Sequence, residues 1–319
     1  MAYKNTVEFI MKIVVTPRGF AKCAIENVEI IKQAGHTAYY NDTEKAYTKE
    51  EFYKKTIDAD GIIVGVETVD KEFIDSHPKL KAVVKFGVGT DNIDVDYCNE
   101  KGIFVGKTVG SNSRSVAETV ISYILADSKN LYESIGAVKA GEWTKLTGYE
   151  VENKTLGIVG FGNIGQKVAK MANGLGMNVL VYDPYLVSQN ALKEYNVKEV
   201  AIEDILTKSD FISLHVPLTE QTKNLITLKE LKKMKPTCAL INTARGGIVN
   251  EQELFFALTN KIIRCAYFDV LTNEPPKENE KLLTLPNFYL TPHIASRSVE
   301  AEKNTASMAT QIIINALKN

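Results

Sequence analysis

Short apolar runs alternate with amphipathic stretches along almost the whole chain. In the first third, MKIVVTP, HTAYY, GIIVG, AVVKF and GIFVG read as strands. Between them, NVEIIKQAG, KEEFYKKTI and DVDYCNEKG put apolar residues at helical spacing. Continuous apolar strands joined through helices build a parallel sheet covered on both faces. Residues 114–137 form one long helical pattern, and AGEWTKLTGYEVENK then breaks into loop. The alternation resumes from Thr155 to about Thr291, and SVEAEKNTASMATQIIINALK closes the chain as a helix. The pattern predicts two doubly wound parallel-sheet α/β domains. The long helix carries the chain out of the first and the closing helix carries it back. The first domain is therefore discontinuous, residues 1–110 plus 293–319, and the second spans 111–292. A cleft between two such domains suits a small ligand.

The second domain holds a nucleotide motif. The apolar TLGIVGF leads into GFGNIG, Gly160 to Gly165, and the helical QKVAKMANGLG follows. A lone GxGxxG is weak evidence, but strand, glycines and helix in this order form a dinucleotide-binding turn. Gly160 would allow the tight turn, Gly162 the approach of a pyrophosphate, and Gly165 close helix–strand packing. Phe161, Asn163 and Ile164 complete the loop, and the phosphates would meet the N–H groups of the helix N-terminus. The next strand, MNVLVYD, ends at Asp183, which would accept from the ribose hydroxyls and repel a 2′-phosphate. PYLVSQN after it carries no cation to hold such a phosphate, so NAD is expected over NADP. Residues 111–292 thus read as a Rossmann cofactor domain, and the discontinuous domain as a flavodoxin-like substrate domain.

Four strands of this region each deliver a polar residue at or just past their carboxyl end, where open α/β sheets bind ligands. CALINTA leads to Arg245, a rigid charged fork suited to a carboxylate. FISLHV ends near His215, AYFDV near Asp269, and FYLTPHI near His293. His293 is the acid–base candidate, because histidine titrates near neutrality. Glu274 in DVLTNEPP is a candidate to orient it; spacing alone leaves it equally a solvated turn residue. His215 reads as a cofactor neighbour more than a proton carrier, and His36 and His77 read as surface residues. In the first domain, Gly87, Val88 and Gly89 after VVKF could cradle an anion with Lys85 beside them. A tight turn with an exposed lysine explains that segment at least as well.

The chain has 319 residues, is 45% hydrophobic and 24% charged, and carries a net charge of −1, so it is globular and has no broad nucleic-acid footprint. No apolar stretch reaches the length of a membrane span. Cys23, Cys98, Cys238 and Cys265 show no metal-ligand spacing and read as free buried thiols of a reducing compartment. Glu8 and Lys12 interrupt the apolar start, which flows into a strand pattern and not a signal peptide. Met11 is a candidate start, with residues 1–10 a short extension. A cytoplasmic enzyme without a metal is expected.

KFGVGTDNID, NSRSVAETV, LGIVGFGNIG, SDFISLHVPLTEQT, INTARGGIVNEQEL, FDVLTNEPP and LPNFYLTPHIAS occur in that order. Over nearly its whole length the chain resembles the D-2-hydroxyacid dehydrogenase family, in particular its phosphoglycerate-dehydrogenase-like branch. The resemblance implies reversible hydride transfer between NAD(H) and a small anionic 2-hydroxy/2-oxo acid. It implies Arg245, Glu274 and His293 as the catalytic trio, with Lys85, Val88, Gly89 and Asn112 on the substrate side. Asp269 would lie near the nicotinamide amide, and His215, Pro217, Thr222, Thr243 and Ala244 along the cofactor. It further implies hinge closure and a homodimer built through the cofactor domain with the 114–150 region. The D stereochemistry comes from the resemblance alone. Two departures bear on the substrate. Phosphoglycerate-specific members commonly carry an arginine after the strand GIIVG, where this chain has Gly65, Val66 and Glu67. Lys85 stands where a second arginine is common. 3-Phosphoglycerate therefore stays one candidate beside glyoxylate, hydroxypyruvate or a larger 2-oxo acid. An NAD-sensing, corepressor-like binding protein on the same scaffold is the alternative from another class.

Overall fold

All five apolar runs of the first third form strands: β1 (Lys12–Val15), β2 (Thr37–Tyr40), β3 (Gly61–Val64), β4 (Ala82–Lys85) and β5 (Phe104–Lys107). They pair in parallel in the order β2-β1-β3-β4-β5, the flavodoxin-like arrangement. Apart from Lys12 and Lys85 at their ends, β1, β3 and β4 are apolar and buried because helices cover both faces. On one face Ala306, Ala309 and Ile313 of the closing helix Val299–Leu317 pack with Phe20 and Ile31. On the other lie Phe52, Phe73, Ile74 and Cys98. The computed structural model describes residues 10–43, 45–185 and 187–318, so the expectation for the first nine residues lies outside it.

The second unit contains β6 (Thr155–Val159), β7 (Asn178–Tyr182), β8 (Lys198–Glu199), β9 (Phe211–Leu214), β10 (Ala239–Asn242), β11 (Cys265–Phe268) and β12 (Phe288–Leu290). They make a seven-stranded parallel sheet, β12-β11-β10-β9-β6-β7-β8. Its first six strands in chain order follow the Rossmann arrangement, and β12 extends the edge. Leu214, Leu240 and Phe268 pack to one face, and Ile158, Val181, Phe211 and Tyr267 to the other. The units comprise the described residues of Met1–Asn112 with those of Arg297–Asn319, and Ser113–Ser296. Residues 293–296 go with the second unit for a local reason: Ser115 Oγ donates to Ala295 O at 2.8 Å, and Ala295 N donates to Asp269.

Four local expectations are corrected. The single helix over 114–137 is two, Ser113–Ser128 and Leu131–Lys139, broken where Asn130 takes a left-handed φ of 49°. Asparagine tolerates that region, and no residue of the second helix is buried to hold it in line. His77 is buried and not at the surface: its ring stacks on Phe73 at 3.8 Å, and Nε2 lies 2.9 Å from Thr56 Oγ1. Burial holds its pKa below the usual histidine value. His36 is half-buried. All four cysteines are free, with Cys98, Cys238 and Cys265 buried and Cys23 partly exposed. No helix among the described residues is long and apolar enough to cross a membrane.

Candidate active site

The loops after β9 to β12 gather the polar candidates of the second unit. After β10, the side chain of the buried Asn242 brackets the turn: its Oδ1 accepts from Ala244 N at 3.0 Å and its Nδ2 donates to Arg245 O at 2.9 Å. Arg245 is half-buried, and its Nη1 donates to Ala244 O at 2.7 Å. Gly246 then lies against the backbone after β11, where a Cβ would come within 2.0 Å of the Leu271 carbonyl carbon. The Arg245 and Glu274 loops are thus in backbone contact. Thr272 N and Oγ1 both donate to Glu251 Oε1 at 2.7 Å, which pins the second loop.

Glu274 is not an idle turn residue. Its Oε1 accepts from Leu271 N at 2.9 Å, its Oε2 lies 2.6 Å from His293 Nδ1, and the Glu274–Pro275 peptide is cis. A carboxylate only accepts, so Nδ1 carries a proton and the exposed Nε2 side of the ring is the one that can exchange with a ligand. His293 has a φ of 53°, and its N–H donates to Asp269 O at 3.0 Å and Thr291 O at 2.9 Å. Asp269, expected near the nicotinamide amide, is buried with both oxygens turned to the histidine loop. Oδ1 accepts from Thr291 Oγ1 at 2.5 Å and Ile294 N at 2.8 Å; Oδ2 accepts from Ala295 N at 2.8 Å. A largely apolar cavity of about 220 Å³ opens beside the pair, lined by Asp269, Glu274, Pro275, Thr291 and His293 among others.

The glycine loop fits a dinucleotide. Gly160 has a φ of 96°, and a Cβ there would meet His215 O at 2.6 Å. A Cβ on Gly165 would meet Gly160 O at 2.3 Å, while Gly162 has open space. The helix Asn163–Gly174 starts there with no acidic residue in its first turn, leaving its positive end to an anion. Asp183 Oδ2 accepts from Phe161 N at 2.7 Å and Oδ1 from Tyr185 N at 2.9 Å, so this carboxylate also shapes the loop. The Phe161 ring packs in the core against Tyr195, and its N–H donates to Asp183. His215 follows β9 and Thr243 follows β10, on neighbouring strands. His215 Nδ1 and Thr243 Oγ1 are buried and have no partner among the described residues. Such orphans at strand ends are what a ligand would satisfy. Burial pushes the His215 ring down to about 3, so it is neutral and Ser213 Oγ, 2.8 Å from Nε2, is its neighbour. Pro217 is exposed, and Thr222 Oγ1 donates to its carbonyl at 2.5 Å, making Thr222 a clasp of its own loop. Ala244 is half-buried beside Arg245.

In the first unit, Lys85 ends β4 but is not an exposed cation. Its Nζ donates to Gly65 O at 2.5 Å and Asn92 Oδ1 at 2.6 Å. Glu67 is buried and accepts from Gly65 N at 2.9 Å, so it caps the end of β3. Gly87 N donates to Thr108 Oγ1 at 2.9 Å, which leaves Val88 and Gly89 as the turn's forward residues, Val88 being exposed. Asn112 is half-buried at the end of this unit's first segment. The residues that sequence reasoning missed are Asn242, Gly246, Glu251 and Thr291. A polar Asn inside an apolar strand and the glycine directly after Arg245 are signals the sequence carries; the Glu251 contact is not local and leaves none.

The model of the family described as D-isomer specific 2-hydroxyacid dehydrogenase, NAD binding domain, matches residues 121–295. The chain belongs to this family of NAD-dependent oxidoreductases that act on the CH–OH group of 2-hydroxy acids. A D-3-phosphoglycerate dehydrogenase of Methanocaldococcus jannaschii is 38% identical over 91% of this chain and 55% of its own length. The chain thus spans about half of that relative. A glyoxylate reductase of Thermococcus litoralis is 39% identical over 85% of this chain and 84% of the relative. The crystal structure of NAD+-bound 3-phosphoglycerate dehydrogenase from Entamoeba histolytica matches with a TM-score of 0.81 at 31% identity, covering 98% of this chain and 96% of that one.

Proposed function

We propose that this chain interconverts a small 2-oxo acid and its D-2-hydroxy acid with NAD(H). The observation that carries the reading is the 2.6 Å Glu274–His293 pair on loops that abut Arg245. The glycine loop Gly160–Gly165 and Asp183 would hold the pyrophosphate and ribose of NAD(H), which would supply hydride chemistry at the substrate carbon. Glu274 holds the imidazole tautomer, and His293 gives its Nε2 proton to the carbonyl oxygen or takes it back from the alcohol. Arg245 brings a permanent charge for the substrate carboxylate and so orients the carbonyl.

The favoured substrate class is an unphosphorylated acid such as glyoxylate or hydroxypyruvate. Lys85 already donates to Gly65 and Asn92, and Gly65, Val66 and Glu67 supply no cation after β3, where the resemblance looks for an arginine. 3-Phosphohydroxypyruvate is the second reading, supported by the named relatives. We further propose a cytoplasmic homodimer. The helix Leu131–Lys139 exposes Leu131, Tyr132, Ile135 and Val138 and buries nothing of its own, a face suited to a second copy.

The test is the initial rate of NADH consumption with glyoxylate, hydroxypyruvate, phosphohydroxypyruvate, pyruvate and 2-oxoisocaproate. Arg245→Ala and His293→Ala should each lose turnover by roughly a hundredfold or more while still binding NADH. Preference for the phosphorylated acid would reverse the substrate reading. NADH binding without turnover of any acid would favour a binding protein.

A further inference from the structure

The loop that carries His293 is held by a hydrogen-bond chain that begins on another helix. Thr291 has one hydroxyl proton and gives it to Asp269 Oδ1 at 2.5 Å. The 2.5 Å contact between Tyr123 Oη and Thr291 Oγ1 then has a single polarity, with Tyr123 donating. Burial raises the Tyr123 pKa, which keeps that proton in place. The same Asp269 carboxylate accepts from Ile294 N and Ala295 N, immediately after the histidine. His293 itself sits at a φ of 53°, a conformation a non-glycine residue keeps only when its surroundings over-determine it.

We propose that Thr291 and Tyr123 are positioning residues for His293, acting through Asp269. Together they fix the carboxylate that grips the backbone after the histidine, so that the imidazole meets Glu274. The inference rests on the reading of His293 as the proton carrier. Tyr123 has little freedom to find another acceptor. Its ring stacks on Tyr267 at 5.5 Å, and Tyr267 in turn stacks on Tyr289 at 4.6 Å. Without the Thr291 hydroxyl, Asp269 loses a donor and the Tyr123 phenol is left buried and unpaired.

Thr291→Val removes the hydroxyl at constant shape, Thr291→Ser keeps it, and Tyr123→Phe removes the first donor. The readouts are kcat, KM for the preferred acid, NADH affinity and Tm. Thr291→Val should lower kcat roughly ten- to hundredfold, with KM and NADH affinity within about twofold. Thr291→Ser should restore most of kcat, and Tyr123→Phe should fall between the two. The double variant should be no slower than Thr291→Val, because both residues act in one chain. Unchanged kcat in Thr291→Val, failure of the serine variant to rescue, or multiplying effects in the double variant would each overturn the proposal. If Thr291→Val fails to fold, kcat of Tyr123→Phe decides, and a wild-type value overturns it. His293→Ala separates the two readings. Retained turnover there removes the proton-carrier role and this inference with it. Lost turnover there, with Thr291→Val unaffected, removes this inference alone.

Discussion

Asp127→Ala should unfold the second unit far more readily than any surface change. Asp127 is 5% exposed, and its carboxylate is the meeting point of five donors. Arg264 Nη1 and Nη2 donate at 2.5 and 2.9 Å, Tyr149 Oη at 2.5 Å, Tyr267 Oη at 3.0 Å and Cys265 Sγ at 3.2 Å. Breaking a buried ion pair by removing one partner costs about 3–5 kcal/mol. Arg264 keeps 33% of its side chain exposed and can partly rehydrate, which argues for about 3 kcal/mol. The orphaned Tyr267 hydroxyl adds about 1 kcal/mol. With a urea slope of about 2 kcal/mol per molar, a loss of about 4 kcal/mol lowers the midpoint by roughly 2 M. Circular dichroism during urea titration reads this directly. The pH dependence gives a second arm. Burial alone would raise the Asp127 pKa, but the Arg264 and Tyr149 hydrogen bonds and the Arg264 charge outweigh it and hold it below the usual carboxylate value. A depressed folded pKa contributes stability that is fully present above the unfolded value of about 3.9 and is lost as pH falls through the folded one. The gap between wild type and variant should be constant near neutrality and close in acid. A midpoint shift under about 0.5 M at pH 7 would mean that the network is solvated and the reasoning wrong.

Two further outcomes follow from close backbone contacts and loop carboxylates. Gly246→Ala forces a Cβ into the Leu271 carbonyl, so the Arg245 and Glu274 loops must separate; kcat should fall roughly a hundredfold while fluorescence titration finds NADH bound as before. Asp183→Ala removes a carboxylate that would repel a 2′-phosphate and also frees Phe161 N. The ratio of NADPH to NADH affinity should therefore rise, with NADH itself weakened about tenfold; unchanged affinities for both would show that Asp183 faces neither ribose.

The architecture was legible because its information is local. Apolar runs between helical stretches specify parallel strands, and β1 to β7 with β9 to β12 form where such runs lie, β2 and β5 as largely exposed edges. Arg245, Glu274 and His293 were nominated by their places at or after strand ends together with a family likeness. What the sequence hid depends on distant partners. His77 looks like a loop residue before a proline, and only Thr56 and Phe73 explain its burial. Asp127 reads as one more polar position on a helix, yet its donors stand at Tyr149, Arg264, Cys265 and Tyr267. The break at Asn130 was invisible because helical spacing continues on both sides of it. Glu67 reads only as an acidic residue where an arginine is common, and its buried cap on Gly65 N shows only in three dimensions.

The distribution of thiols makes the protein easy to tag. Burial pushes the Cys98 thiol up to about 11 and the Cys238 thiol up to about 12, and raises Cys265 as well, so at neutral pH these three present almost no thiolate to an electrophile. Cys23 is raised too, chiefly by its hydrogen bond to Glu302, yet it alone keeps part of its surface in water. A maleimide dye applied to the native chain should therefore couple once, on the first unit. That gives a spectroscopic reporter at a known position without engineering a single residue.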